Sequence, residues 1–162
     1  MKRIKRNSII LLALVAIFSF QFSVLAQNNK QILSYEGKPL VEVEVNGQKT
    51  WALVDKEVYQ TLFNVGDQSF FNFKLVDNPT NYQIELENEI KPFLRVSNLS
   101  LNYEGQALFG AKLAIDLHEK IDLIREKTGK RVSLIIGSNM IAHHTLTFSQ
   151  LPEQNNFAVS VK

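Results

Sequence analysis

Few residues in this chain have both the type and the setting for chemistry. Asp55 closes an apolar strand, Ala52-Leu53-Val54-Asp55, which puts a carboxylate beside core-forming residues, and Lys56 and Glu57 follow it directly. Further on, Ile135-Ile136-Gly137-Ser138-Asn139-Met140-Ile141 carries an apolar run into a glycine. His143-His144, with Asp116, His118 and Glu119 upstream, offers the residue types of a metal site. Adjacent residues on a strand point to opposite faces, however, and no ligand spacing supports coordination. The pair reads as surface histidines at a strand entry, and neither a metal nor any other cofactor is expected. Ser138 lacks the flanking glycines of a nucleophile elbow and reads as the N-cap of a short helix. Glu42, Glu44, Glu85, Glu87 and Glu89 alternate with apolar residues, the pattern of a solvated strand face rather than of paired catalytic carboxylates. Trp51 and the Phe70, Phe71, Phe73 group read first as core and second as a peptide-binding groove.

The elements that would position these groups are mostly strands. Val41, Val43 and Val45 alternate with Glu42 and Glu44, the period of a half-buried strand. Asn46-Gly47 is a strong hairpin signal because both positions tolerate positive φ. The return strand, Lys49 to Val54, delivers Asp55. Val58, Leu62 and Phe63 suggest a short helical turn. Strands are expected over Ser69 to Val76, Tyr82 to Leu86, Phe93 to Val96, Leu99 to Tyr103 and Ala107 to Leu117, with turns at Asn78-Pro79 and Glu104-Gly105. Leu117, Ile121 and Ile124 lie at i, i+4 and i+7, which predicts a helix stopped by Thr128-Gly129. Val132 to Ile136 reads as a buried strand, Ser138 to His143 as a short helix, and Thr145 to Phe148 and Phe157 to Val161 as the last strands. There is no internal repeat, low-complexity tract or linker. The prediction is one mostly-β domain, a closed barrel with one or two short helices.

Residues 1–26 read as a signal peptide and 27–162 as the domain. Lys2, Arg3, Lys5 and Arg6 precede an apolar stretch from Ile9 to Phe20, and Val24-Leu25-Ala26 supplies a cleavage site. A transmembrane helix needs about 20 apolar residues, and Gln21 and Ser23 interrupt this stretch too early, so no stable membrane span is expected after cleavage. The expected destination is periplasmic or secreted. Four of the 18 Lys and Arg residues lie in this leader and none of the 16 Asp and Glu residues do, so the overall +2 becomes −2 for the remainder. No basic stripe for nucleic acid remains. With no cysteine in the chain, a disulfide framework is excluded and stability must come from the core.

The stretch Pro39-Leu40-Val41, Asn46-Gly47-Gln48, Ala52-Leu53-Val54-Asp55, followed by Ile135-Ile136-Gly137-Ser138-Asn139-Met140-Ile141 and Thr145-Leu146-Thr147-Phe148, resembles the two signature regions of retropepsin-like aspartic proteases. The resemblance covers roughly Leu40 to Phe148 and implies an acid-protease-type β-barrel. In that family two chains each supply one Asp, and the pair shares a proton because like charges in contact do not both ionise. Asp55 matches the catalytic position, and Gly137, after Ile136, matches the glycine that packs beside the catalytic loop. The family follows its Asp with Thr or Ser and then Gly, whereas this chain has Lys56 and Glu57. Lys56 does not reproduce a buried hydroxyl bridge, and Glu57 adds a Cβ where the backbone approaches closely. A further expectation is that Lys56 pairs with Asp55. The segment comparable to the family's Gly-rich flap, Asn81 to Val96, contains no glycine. The resemblance thus implies a catalytically impaired domain that keeps a cleft for a peptide or protein ligand and forms a homodimer. The alternative is an active aspartic endopeptidase using Asp55 from each subunit.

Overall fold

Asn46 and Gly47 both adopt positive φ, 47° and 81°, and reverse the chain within two residues, so the valines of Val41 to Val45 meet a returning strand. A computed structural model describes residues 33–77, 83–144, 146–150 and 157–161, the last two stretches by backbone alone. The expected leader and the Asn78-Pro79 turn lie outside these residues. Strand β1 (Leu33–Tyr35) leads into the hairpin of β2 (Lys38–Val45) and β3 (Gln48–Val54). Then come β4 (Thr61–Asn64), a 3-10 turn (Val65–Asp67), α1 (Gln68–Phe71), β5 (Lys74–Val76), β6 (Gln83–Leu86), β7 (Glu89–Pro92) and β8 (Leu94–Ser97). The second half holds β9 (Leu101–Tyr103), β10 (Gln106–Ala107), β11 (Lys112–Ile115), α2 (His118–Thr128), β12 (Val132–Ile136), α3 (Ser138–His143), β13 (Leu146–Gln150) and β14 (Phe157–Val161).

The fold is mostly β, as the alternation predicts. The main sheet runs β10-β9-β2-β3-β12-β4-β11-β8-β5, with β1 added on β2, while β6–β7 and β13–β14 form separate two-stranded sheets. Among the described residues the two end strands, β10 and β5, do not pair with each other. At the centre, β12 lies parallel to β3 and antiparallel to β4, and β4 is in turn parallel to β11. Strand β12, Val-Ser-Leu-Ile-Ile, is buried on both faces along its whole length, as a strand with neighbours on both sides must be.

Two apolar layers pack on opposite faces of this sheet. One gathers Val41, Val43, Val45, Phe63, Phe71, Leu101, Leu134, Ile136 and Met140. The other gathers Leu40, Leu53, Leu62, Ile115, Leu117, Ile135 and the inner face of α2, Ile121 and Ile124. Each fully buried Leu, Ile or Phe contributes about 1.5–3 kcal/mol, so these layers supply the stability that disulfides do not. Helix α2 stops where the sequence predicts: Gly129 adopts φ 69° and donates its N–H to the Arg125 carbonyl. Among the described residues no helix is long and apolar enough to cross a membrane.

The structure corrects several local readings. Of the helical turn expected from Val58, Leu62 and Phe63, Val58 lies in the loop after Asp55 and the other two lie in strand β4. All four of its residues are buried, so no alternation distinguishes it from a buried helical segment. The single strand expected over Ser69 to Val76 is a turn of helix followed by β5, joined by Asn72 at φ 54°. Side-chain amides of Asn46 and Gln48 donate to the Phe71 and Phe70 carbonyls, giving those backbone groups partners a ladder would otherwise supply. The strand expected over Ala107 to Leu117 is split into β10 and β11, with Gly110 at φ 150° between them. Strand β7 carries no turn signal before it in the sequence, because its hairpin turn, Glu87-Asn88, places two non-glycine residues at positive φ, 54° and 66°.

Candidate functional site

Asp55 lies one residue beyond β3 and is only 2 % exposed. Its position is set by the sheet: its N–H donates to the Ile136 carbonyl at 3.0 Å, extending the parallel β3–β12 ladder by one bond. Both carboxylate oxygens are occupied. The Glu57 N–H donates to Oδ1 at 3.0 Å, turning the loop tightly back, and Lys38 Nζ donates to Oδ2 at 2.7 Å. The same ammonium also reaches Glu57 Oε2 at 3.0 Å. Burial alone would lower the Lys38 pKa, but its bonds to Asp55 and Glu57, and their charges, outweigh this and hold it above its ordinary value.

The lysine that pairs with Asp55 is therefore Lys38 and not Lys56, whose side chain is exposed. Glu57 also points outward, with its side chain 84 % exposed. A local signal for Lys38 did exist. The Asn46-Gly47 turn sets a register from Val45↔Gln48 to Leu40↔Leu53, and two further steps bring Lys38 opposite Asp55. Since side chains alternate by two, Lys38 and Asp55 fall on the same face as Leu40 and Leu53.

Gly137 packs against the loop after Asp55. A Cβ there would lie 2.4 Å from the Gln60 carbonyl oxygen and 2.7 Å from that of Tyr59, so only glycine fits without moving backbone. The next amides clasp the same loop: Ser138 donates to the Val58 carbonyl at 2.8 Å and Asn139 to the Tyr59 carbonyl at 2.9 Å. Buried Thr61 joins the two segments by accepting the Gly137 N–H at 3.2 Å and donating to Asn139 Oδ1 at 3.0 Å. Ser138 is not the N-cap of α3, as expected from its type. Gly137 holds that position, and no side-chain cap bond is made; the orphan amides are satisfied by the loop carbonyls instead.

The histidine pair ends α3 rather than starting a strand, and its rings meet edge to face at 4.9 Å. The Phe109 N–H donates to His144 Nε2 at 2.6 Å, which uses that nitrogen's lone pair. His118 and Asp116 pair with each other at 2.8 Å on the surface. That bond raises the histidine pKa, and the His118 backbone N–H, with the ring, lowers that of Asp116. Among the described residues no three His, Asp or Glu side chains gather as metal ligands would. Glu42 pairs across the hairpin with Lys49 at 3.0 Å and Glu89 with Lys91 at 3.1 Å, as on a solvated face.

No family model matches the sequence, and no curated protein matches it. The chain is similar to solved structures. One is the EIAV protease complexed with the inhibitor HBY-793, at 12% identity and a TM-score of 0.49, covering 68% of this chain and 93% of that one. Another is the retroviral protease-like domain of Ddi1 from Leishmania major, at 14% identity and a TM-score of 0.47, covering 75% of this chain and 92% of that one.

Proposed function

We propose that this chain is an exported retropepsin-like domain that binds peptide or protein segments and does not cleave them. The placement of Asp55 supports the first half of this reading: a buried carboxylate at the end of a hairpin strand, on a loop clasped by Gly137 and the amides after it. The observation that carries the second half is the 2.7 Å contact of Lys38 Nζ with Asp55 Oδ2. Proton-sharing catalysis needs two carboxylates in contact, one acting as base toward water and the other as acid. Here an ammonium stands on one oxygen of Asp55 and a backbone amide on the other. Each oxygen keeps acceptor capacity, but the ammonium on Oδ2 competes with a second carboxylate for the proton-sharing position and with a lytic water for the base. In this reading residues 1–26 direct export to the periplasm or the medium, and two copies associate. Sedimentation of the protein as a monomer at high concentration would remove the dimer.

Peptide-library cleavage between about pH 3 and pH 7 tests the reading, with the protein beside Asp55→Asn and the triple substitution Lys38→Met/Lys56→Thr/Glu57→Gly. The expected result is no cleavage by the protein. Activity in the triple variant would show that the scaffold is a protease disarmed by those residues. Cleavage by the protein that disappears with Asp55→Asn would overturn the proposal in favour of an active aspartic endopeptidase built from two copies.

A further inference from the structure

A cavity of about 550 Å³ opens between the turn of the β6–β7 hairpin, the end of β1 and the first half of α2. Its size is within the range of ligand pockets, about 300–1,000 Å³. Its floor includes Tyr35, Leu86 and Leu117, which are buried in the core layer behind it, and Leu123, 50 % exposed, supplies an apolar surface among otherwise polar groups. The hairpin is held over the floor by buried Leu86 and by the ion pair of Glu87 with Lys120.

The lining is unbalanced in charge, with five carboxylates against two lysines and one histidine. The cations are already engaged, Lys91 with Glu89, His118 with Asp116 and Lys120 with Glu87. Glu36 is paired from outside the cavity by Lys127 at 3.4 Å. Glu119 has no ion-pair partner among the described residues and stands one turn of α2 before Leu123, so a carboxylate and an apolar surface lie in line. Strands β6 and β7 pair only with each other among the described residues, and Glu89 and Lys91 of β7 line the cavity.

We propose that this cavity receives the basic side chain, lysine or arginine, of an extended peptide whose backbone lies along the open edge of the hairpin. The aliphatic stem rests on Leu123, the cationic head meets Glu119, and the strand edge supplies main-chain hydrogen bonds. The assignment rests on the peptide-binding reading above and names the side chain that the domain selects. It places the pocket within one chain, so occupancy needs no second copy.

Titration of three blocked pentapeptides into isotope-labelled protein tests this: Ala-Val-Xaa-Val-Ala with lysine, norleucine or glutamate at the centre, followed by amide chemical shifts. The lysine peptide is expected to bind about tenfold more tightly than the norleucine peptide, with shifts in residues 86–91 and 117–123. Glu119→Gln should remove most of that preference, and Glu104→Gln, on a remote exposed turn, should leave it intact. Equal affinity for lysine and norleucine, or shifts confined to other surfaces, would overturn the basic pocket while leaving peptide binding standing. Absence of binding by all three would remove both.

Discussion

An ammonium 2.7 Å from a carboxylate that is 2 % exposed makes Lys38 the residue on which Asp55 depends. Replacing Lys38 with Met leaves that carboxylate buried without its counter-charge. A fully buried broken pair costs about 3–5 kcal/mol, but the Lys38 side chain is 29 % exposed, so water replaces part of its role. The expected loss is about 1–3 kcal/mol, read as a lower urea midpoint. Asp55→Asn should cost less, because the stranded ammonium reaches solvent. The pH dependence follows from the direction of the shift. The folded-state pKa of Lys38 is raised above 10.5, so its contribution is complete below that pH and fades as pH rises through the higher folded value. The stability gap between the protein and Lys38→Met should therefore be constant at neutral pH and narrow only in the alkaline range. A gap that instead closed on mild acidification would contradict this account.

At the scale of elements, the site is a junction between the loop after β3 and the start of α3, held by backbone and by Thr61. Gly137→Ala drives a methyl to 2.4 Å from a backbone oxygen, and an overpacked position of this kind costs about 1–3 kcal/mol or more. Thermal unfolding should show a clear drop, whereas the same substitution at exposed Gly105 should act through its φ of 79° and not through crowding. Thr61→Val keeps the shape and removes the bridge, leaving the Gly137 N–H and the side-chain Oδ1 of Asn139 without their Thr61 partner. A loss of about 1–3 kcal/mol is expected, and chemical shifts should change on both sides of the junction. An unchanged loop spectrum would show that Thr61 is not what couples the two segments.

Across the whole molecule, stability should be graded from the sheet centre outward. Strand β12 has two neighbours and five buried residues, whereas the β6–β7 hairpin pairs with no strand of the main sheet among the described residues and packs on the main body through Ile84, Leu86 and an ion pair. Hydrogen exchange should therefore be slowest at Leu134 to Ile136 and much faster at Glu89 to Lys91. Comparable protection in both would mean that the hairpin is part of the cooperative core and not a separable roof over the cavity.

Much of this was legible in the residues themselves. Alternation of two marked β2 and β6, a period of 3.6 and a closing glycine marked α2, and Asn46-Gly47 marked the hairpin with its return strand β3, because each of these signals is local. That hairpin even carried the register that sets Lys38 opposite Asp55. Other features depend on partners distant in the chain. Strand β4 became legible only with β12 and β11 on its two sides, the helical turn at Phe70-Phe71 only with the amides of Asn46 and Gln48. The need for glycine at position 137 comes from the Gln60 carbonyl, 77 residues earlier. Sequence pattern by itself determined the β class, the hairpin and the carboxylate at its end. Tertiary structure alone decided how deeply that carboxylate is buried, what clasps its loop and what lines the cavity, because burial and packing across the sheet are properties of neighbours in space.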